Sequence, residues 1–155
     1  MQKGASSMAK FHYRMQSILD IKRKMETQAK MEFGQAQSKL LEEQERLEQL
    51  YQRKEAYLEE ARMLRLNSLK VQELRDNEYA MARMEEFIMT QMENVQKAED
   101  AVEAAREKLK EVMMERKTHE KLREKAFEQF MKDVNASESK EVDELTSYTY
   151  GQKRG

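Results

Sequence analysis

Asn67-Ser68-Leu69-Lys70 divides two long stretches that otherwise carry one pattern. Before it, positions taken alternately three and four apart read Met15, Leu19, Lys22, Glu26, Ala29, Phe33, Ala36, Leu40, Glu43, Leu47, Leu50, Lys54, Tyr57, Ala61, Leu64, Ser68 and Val71. Twelve of these seventeen are apolar, enough for the stripe to persist through its interruptions. Beyond the division the same spacing selects Leu74, Met81, Met84, Ile88, Val95, Ala98, Val102, Ala105, Leu109 and Val112, broken only by Asn77 and Gln91. Alternating three and four averages about 3.5 residues, the period of a left-handed coiled coil. Two such stripes joined at a break predict an all-α fold, a long antiparallel two-helix coiled-coil hairpin. Asn67 and Ser68 favour a turn because their side chains bond nearby backbone. No glycine or proline reinforces them, so one continuous helix paired in a dimer stays open as an alternative.

At 155 residues the chain suits one domain with a thin core. Charged residues make up 38% and apolar ones 39%, with no Pro, Trp or Cys, which is a coiled-coil profile and not a disordered one. Without cysteine there are no disulfides and no thiolate metal sites, which fits a reducing compartment. No run of about 18 apolar residues exists to cross a membrane, and no apolar leader opens the chain. A cytoplasmic protein is expected.

The net charge of −1 argues against a general polyanion binder. It is unevenly spread. Residues 1–35 carry 7 basic and 3 acidic groups, residues 106–134 carry 9 and 7, and residues 36–105 carry 10 and 16. In a hairpin the basic segments would lie together near the termini and the acidic surplus toward the bend. Such a dipole can orient against a partner, although an uneven solvated surface explains the same numbers.

In chain order, residues 1–7 have no pattern and precede a second methionine, so they are expected to be an extension outside the fold. One hairpin is expected over residues 8–134: helix 1 over about 8–66, starting between Met8 and Tyr13, a bend at about 67–70, and helix 2 over about 71–134. After Val112 the seam positions become Arg116, His119 and Arg123, while Leu122, Ala126, Phe127 and Phe130 suggest an apolar face shifted in phase. That face either packs against Phe11, Met15, Ile18 and Leu19 or presents an exposed aromatic patch. Residues 135–155 are expected to be a tail, partly helical or disordered.

The chemistry-bearing residues are few. Four scattered glycines make no phosphate loop. With only His12 and His119 and no cysteine, no nucleophilic triad is supported. A di-metal bundle needs Glu-x-x-His motifs on facing helices, whereas Glu115 and His119 are four apart and the two histidines do not converge in a hairpin. No catalytic, cofactor-binding or metal residue is therefore expected, and the protein is expected not to be an enzyme; a metal-dependent helical-bundle oxidase is the rival from that class. Lys117, Lys121, Arg123 and Lys125 alternate with Glu115, Glu120, Glu124 and Glu128, so a nucleic-acid field is cancelled. Met25, Met31, Met63, Met89, Met92, Met113 and Met114, with Tyr51, Tyr57 and Leu58, lie beside the seam and serve either flank packing or recognition by several partners.

Three stretches resemble the FliJ family, coiled-coil components of the flagellar type III export apparatus. They are Phe11-His12-Tyr13-Arg14-Met15-Gln16-Ser17-Ile18-Leu19-Asp20-Ile21-Lys22-Arg23-Lys24-Met25-Glu26, then Val71-Gln72-Glu73-Leu74-Arg75, and Glu120-Lys121-Leu122-Arg123-Glu124-Lys125 followed by Lys140-Glu141-Val142-Asp143-Glu144-Leu145. The resemblance covers roughly residues 8–150. It implies an antiparallel hairpin similar to the gamma (stalk) subunit of rotary ATPases. It also implies a non-catalytic protein that binds the hexameric export ATPase FliI near the centre of its ring, the export-gate protein FlhA, and export chaperones. Such a protein would be cytoplasmic and peripherally associated with the inner-membrane export apparatus, without inserting into the membrane. Carried onto this sequence, ATPase docking falls on Phe11, Tyr13, Arg14, Leu122, Arg123 and Lys125. Gate contact, which the family makes through exposed residues, falls on Leu50, Tyr57, Ala80, Met84 and Gln91; Ala80 stands where the family often has a bulky aromatic. The alternative function is a generic cytoplasmic coiled-coil scaffold that forms a dimer.

Overall fold

A computed structural model describes residues 10–67 and 70–154. The proposed extension, residues 1–7, and the centre of the turn, Ser68 and Leu69, lie outside the described residues. Two helices make the fold: α1, Gln16–Leu66, and α2, Val71–Arg154. They pack against each other as an antiparallel hairpin, with no strand among the described residues.

The helices persist because nothing in their sequences stops them. The chain has no proline, and every φ among the described residues is negative. α1 begins later than the spacing suggests. The Gln16 amide donates to the Tyr13 carbonyl (3.1 Å) and the Leu19 amide to that of Met15 (3.1 Å). Phe11 and Tyr13 precede these turns and are held by ring contacts instead. Met15, a seam position by spacing, precedes α1 and is exposed. At the far end the Asn67 amide bonds the Met63 carbonyl (3.1 Å), and α2 opens as the Leu74 amide bonds that of Lys70 (3.1 Å). Arg65 in the last turn of α1 and Glu73 in the first turn of α2 carry the charges that those helix ends favour. α2 does not stop near Val134 but runs to Arg154. Residues 135–150 hold neither proline nor glycine, so no signal ends it.

The chain forms two compact units, one of residues 27–111 and one of residues 1–26 with 112–155. In the first, Ala29, Met84, Ile88, Ala98 and Val102 are buried along the seam. Burying a larger side chain of this kind stabilises by about 1.5–3 kcal/mol. The buried polar seam residues are paired across it. Gln91 Nε2 donates to the Glu43 carbonyl (2.8 Å) and to Glu43 Oε2 (2.6 Å), while Asn77 Nδ2 donates to the Tyr57 carbonyl (3.0 Å). Farther along, Lys108 Nζ lies 3.1 Å from Glu32 Oε2, and the Arg106 guanidinium lies 5.7 Å from the Phe33 ring centre.

In the second unit Leu19 is fully buried and Val112 buried. Arg116 grips both oxygens of Glu26 at 3.1 Å, and Lys22 reaches Glu115 at 2.9 Å. The seam of α2 does not change phase here. Arg116, His119, Arg123, Ala126 and Phe130 keep the three-four spacing and are half-buried, whereas Leu122 and Phe127 stay exposed. Arginine makes this possible, because its apolar stem lies along the seam while its head reaches a partner.

Gly34 lies inside α1, and a Cβ built there meets nothing within 4 Å. It marks no close approach of α2. Gly34→Ala should therefore raise the unfolding free energy by about 0.5–1 kcal/mol. Leu19→Ala should lower it by about 2–5 kcal/mol, since the whole side chain leaves a cavity. Urea unfolding followed by circular dichroism measures both; equal shifts would contradict the burial assigned to Leu19 and the open space beside Gly34.

Candidate functional site

The expected docking residues fall within the unit of residues 1–26 and 112–155, where an aromatic cluster forms around Phe11. Its ring meets Phe127 edge-on at 5.2 Å between centroids, Phe130 at 5.5 Å and Tyr13 at 6.4 Å. Phe127 and Phe130 stack at 6.4 Å. The Arg123 guanidinium lies 5.3 Å from the centre of the Phe11 ring, and its Nε donates to Gln16 Oε1 at 2.9 Å. One contact orients the arginine and the other holds it against the ring face, an arrangement worth about 0.5–2 kcal/mol.

Of the expected docking set, Phe11, Tyr13 and Arg123 are therefore brought together. Arg14 and Lys125 are exposed, and Leu122 is 48% exposed one residue from Arg123. Phe127 and Phe130 belong to the cluster although the resemblance assigns them no role. Their spacing of three, on one helix face, was the available signal. A half-exposed aromatic cluster with a fixed arginine and flanking cations is chemistry for docking a protein surface.

The expected gate set divides differently. Leu50, Tyr57 and Ala80 are half-buried, but Met84 and Gln91 are buried rather than exposed. Met84 fills the seam, and the Gln91 amide is spent on Glu43. Met84 presents no surface, and Gln91 reaches one only at the floor of a groove. The exposed features nearby are Phe87, 46% exposed under the Arg83 guanidinium at 5.2 Å, and a groove of about 710 Å³. Arg46, Leu50, Arg53, Phe87 and Thr90 line this groove, and Gln91 touches its floor.

Among the described residues no group of three or more His, Asp or Glu is placed to hold a metal ion. His119 is half-buried on the seam, with Nδ1 buried and without a hydrogen bond among the described residues. No helix among the described residues is long and apolar enough to cross a membrane.

Residues 11–155 match the profile of the family described as flagellar FliJ protein. The chain belongs to this family. The flagellar FliJ protein of Bacillus subtilis (strain 168) is 28% identical over 137 residues, covering 88% of this chain and 92% of that protein. No solved structure matches the chain significantly. The family match begins at Phe11, so it takes in the aromatic cluster, the groove and the whole of α2.

Glu43 is the carboxylate most enclosed by partners. Its pKa is held below the ordinary value by hydrogen bonds from Lys39 and then Gln91, with the charges of Lys39 and Arg46 adding to them and burial opposing. A carboxyl lowered on folding contributes stability that is complete above its unfolded pKa and is lost as pH falls through its folded one. Glu32, lowered by Lys108 and Gln28, and Glu59, lowered by Arg62, act in the same direction. Thermal melts from about pH 7 down to about pH 3 should show the midpoint falling through the carboxylate range. Glu43→Gln should flatten that fall; an unchanged slope would remove Glu43 from the account.

Proposed function

We propose that this flagellar export component is a stalk and coupling protein that docks through its Phe11 cluster near the centre of the hexameric export ATPase ring. In this reading it promotes assembly and activity of the ring and links it to the export gate and to export chaperones. The observation that carries the reading is the cluster itself. Phe11, Tyr13, Phe127 and Phe130 gather around a fixed Arg123, with Leu122, Arg14 and Lys125 exposed beside them. Aromatic anchors with arginine, ringed by solvated charge, are the composition that concentrates binding energy in protein interfaces.

The role asked of this chain is mechanical and electrostatic. The nucleotide chemistry belongs to the ATPase. A hairpin with paired polar groups along its seam keeps one register, so a load or a docking event at one pair of turns meets a defined surface. The residues 1–26 carry 6 basic and 2 acidic groups, which favours encounter with an acidic ring lining and makes the on-rate fall with salt. Gate contact is proposed for Leu50, Tyr57 and Ala80 with Phe87 joining them, and Met84 and Gln91 supporting them from the seam. A family member of this kind would sit in the cytoplasm, peripherally associated with the inner-membrane export apparatus.

The test is the ATPase's hexamer formation and hydrolysis rate with wild type and with the double variant Leu122→Asp, Arg123→Glu. Leu122→Asp alone serves as the variant least able to disturb the seam. Stimulation by wild type should return to the basal rate with the double variant and drop at least several-fold with Leu122→Asp, both retaining wild-type helicity. Undiminished stimulation by both helical variants would move the docking site elsewhere. No stimulation by folded wild type would favour a coiled-coil scaffold without an ATPase partner.

A further inference from the structure

Two surfaces of this chain have complementary chemistry and no described occupant. The first is the groove of about 710 Å³ on the unit of residues 27–111, lined by Arg46, Leu50, Arg53, Ala56, Phe87 and Thr90 among others. None of its nine lining residues is acidic, although this unit carries more carboxylates than cations. Arg46 is partly engaged by Glu43 at 3.0 Å. Arg53 and Arg83 have no ion pair among the described residues, and Arg83 is held over the exposed Phe87 ring. The groove thus presents apolar surface bordered by Arg53, which has no ion pair among the described residues, and by Arg46, which shares the Glu43 carboxylate with Lys39.

The second is the end of α2. Residues 135–151 carry Glu138, Glu141, Asp143 and Glu144 against one cation, Lys140, and all of these are exposed. Val142 and Leu145 are exposed in the same turns, and with Thr149 they follow the three-four spacing of one helix face. Glu138 and Glu141 are each four residues before an apolar member of that face, so they flank it. An acidic helix with a short apolar stripe is the shape and charge that an arginine-bordered apolar groove accepts.

We propose that the α2 end of a second copy of this chain docks its Val142–Leu145–Thr149 face in this groove, with Glu138, Glu141 and Glu144 answering Arg46, Arg53 and Arg83. The contact is small, so it belongs to the weak and reversible class of interfaces. It is electrostatically steered and weakens as salt rises. Self-association of this kind covers Leu50 and Phe87, and it competes with any other partner for that surface. The inference does not depend on the ATPase reading, because it concerns the protein alone.

Sedimentation velocity of the full chain tests it at low salt, followed by mixing of single-cysteine copies, which the absence of native cysteine makes clean. Weight-average mass should rise with concentration for wild type. It should rise at least tenfold less readily for Arg53→Glu with Arg83→Glu, and likewise for Glu141→Lys with Glu144→Lys. An equimolar mixture of the two charge-reversed proteins should recover association, since the groove of each is then opposite in charge to the α2 end of the other. Oxidised mixtures of Gln49→Cys and Leu145→Cys copies should give the mixed disulfide in preference to either homodimer. A monomer at all concentrations up to about 1 mM, association indifferent to charge reversal, or a disulfide formed only between two Leu145→Cys copies would each overturn the proposal.

Discussion

Gln91 gives its side-chain amide to two oxygens of one residue, the carbonyl and a carboxylate oxygen of Glu43, from inside the seam between α1 and α2. A helix pair has only one strip to hide from water, so a polar residue there is costly unless the opposite helix answers it. That requirement turns each polar seam position into a statement about register. Asn77 is answered by the Tyr57 carbonyl, and Glu26 by Nε and Nη2 of Arg116. Sliding either pair by a heptad would leave an amide or a carboxylate buried without a partner, at a cost of about 1–3 kcal/mol per group. Apolar residues at those places would bind at least as tightly, but they would accept more than one alignment. The polar pairs are therefore best understood as selecting one hairpin from several feasible pairings, including a parallel dimer.

That logic also explains where the sequence could be read and where it could not. The three-four spacing announces both helices because each needs an apolar stripe, and Leu19, Ile88, Ala98 and Val102 are buried as the spacing requires. The same spacing continues through Arg116, His119 and Arg123, yet hydrophobicity alone reads those residues as a break in phase. Whether an arginine belongs to a seam depends on a carboxylate or a ring ninety or more residues away, as with Glu26 and Phe11, and local pattern carries no such information. The ends of the helices were hidden for a related reason. α1 starts late because Phe11 finds ring partners on α2 and Tyr13 stacks on Phe11, a tertiary effect. α2 runs past Val134 because residues 135–150 lack a stop signal, although they also lack the apolar density that makes a helix easy to predict.

The aromatic cluster was legible to the same degree. Resemblance placed Phe11, Tyr13 and Arg123 in one region, and the structure joins them through a shared ring. It also placed Met84 and Gln91 on a surface, where the seam claims them instead. A residue number carried across a family keeps its place along the helix more reliably than its rotation about it. An error of one position turns a side chain by about 100°, which is enough to move it from solvent to seam. Phe87, three residues beyond Met84, shows how near the exposed alternative lies.

Among the described residues this hairpin buries little beyond the strip between its helices, so most of its charged side chains face outward. Net charge is then a poor guide to its partners. Charges more than about 8–10 Å apart are largely screened at ordinary ionic strength, and a docking segment senses the handful of groups it touches. Residues 27–111 are acidic in sum, but none of the residues lining the groove they contain is acidic, and Arg46 and Arg53 are among them. The unit that holds the Phe11 cluster likewise carries an acidic stretch at Glu138–Glu144, ahead of Lys153 and Arg154 in the sequence. Opposite local fields on each unit let one short chain address partners of opposite charge. They also give its own copies a reason to meet.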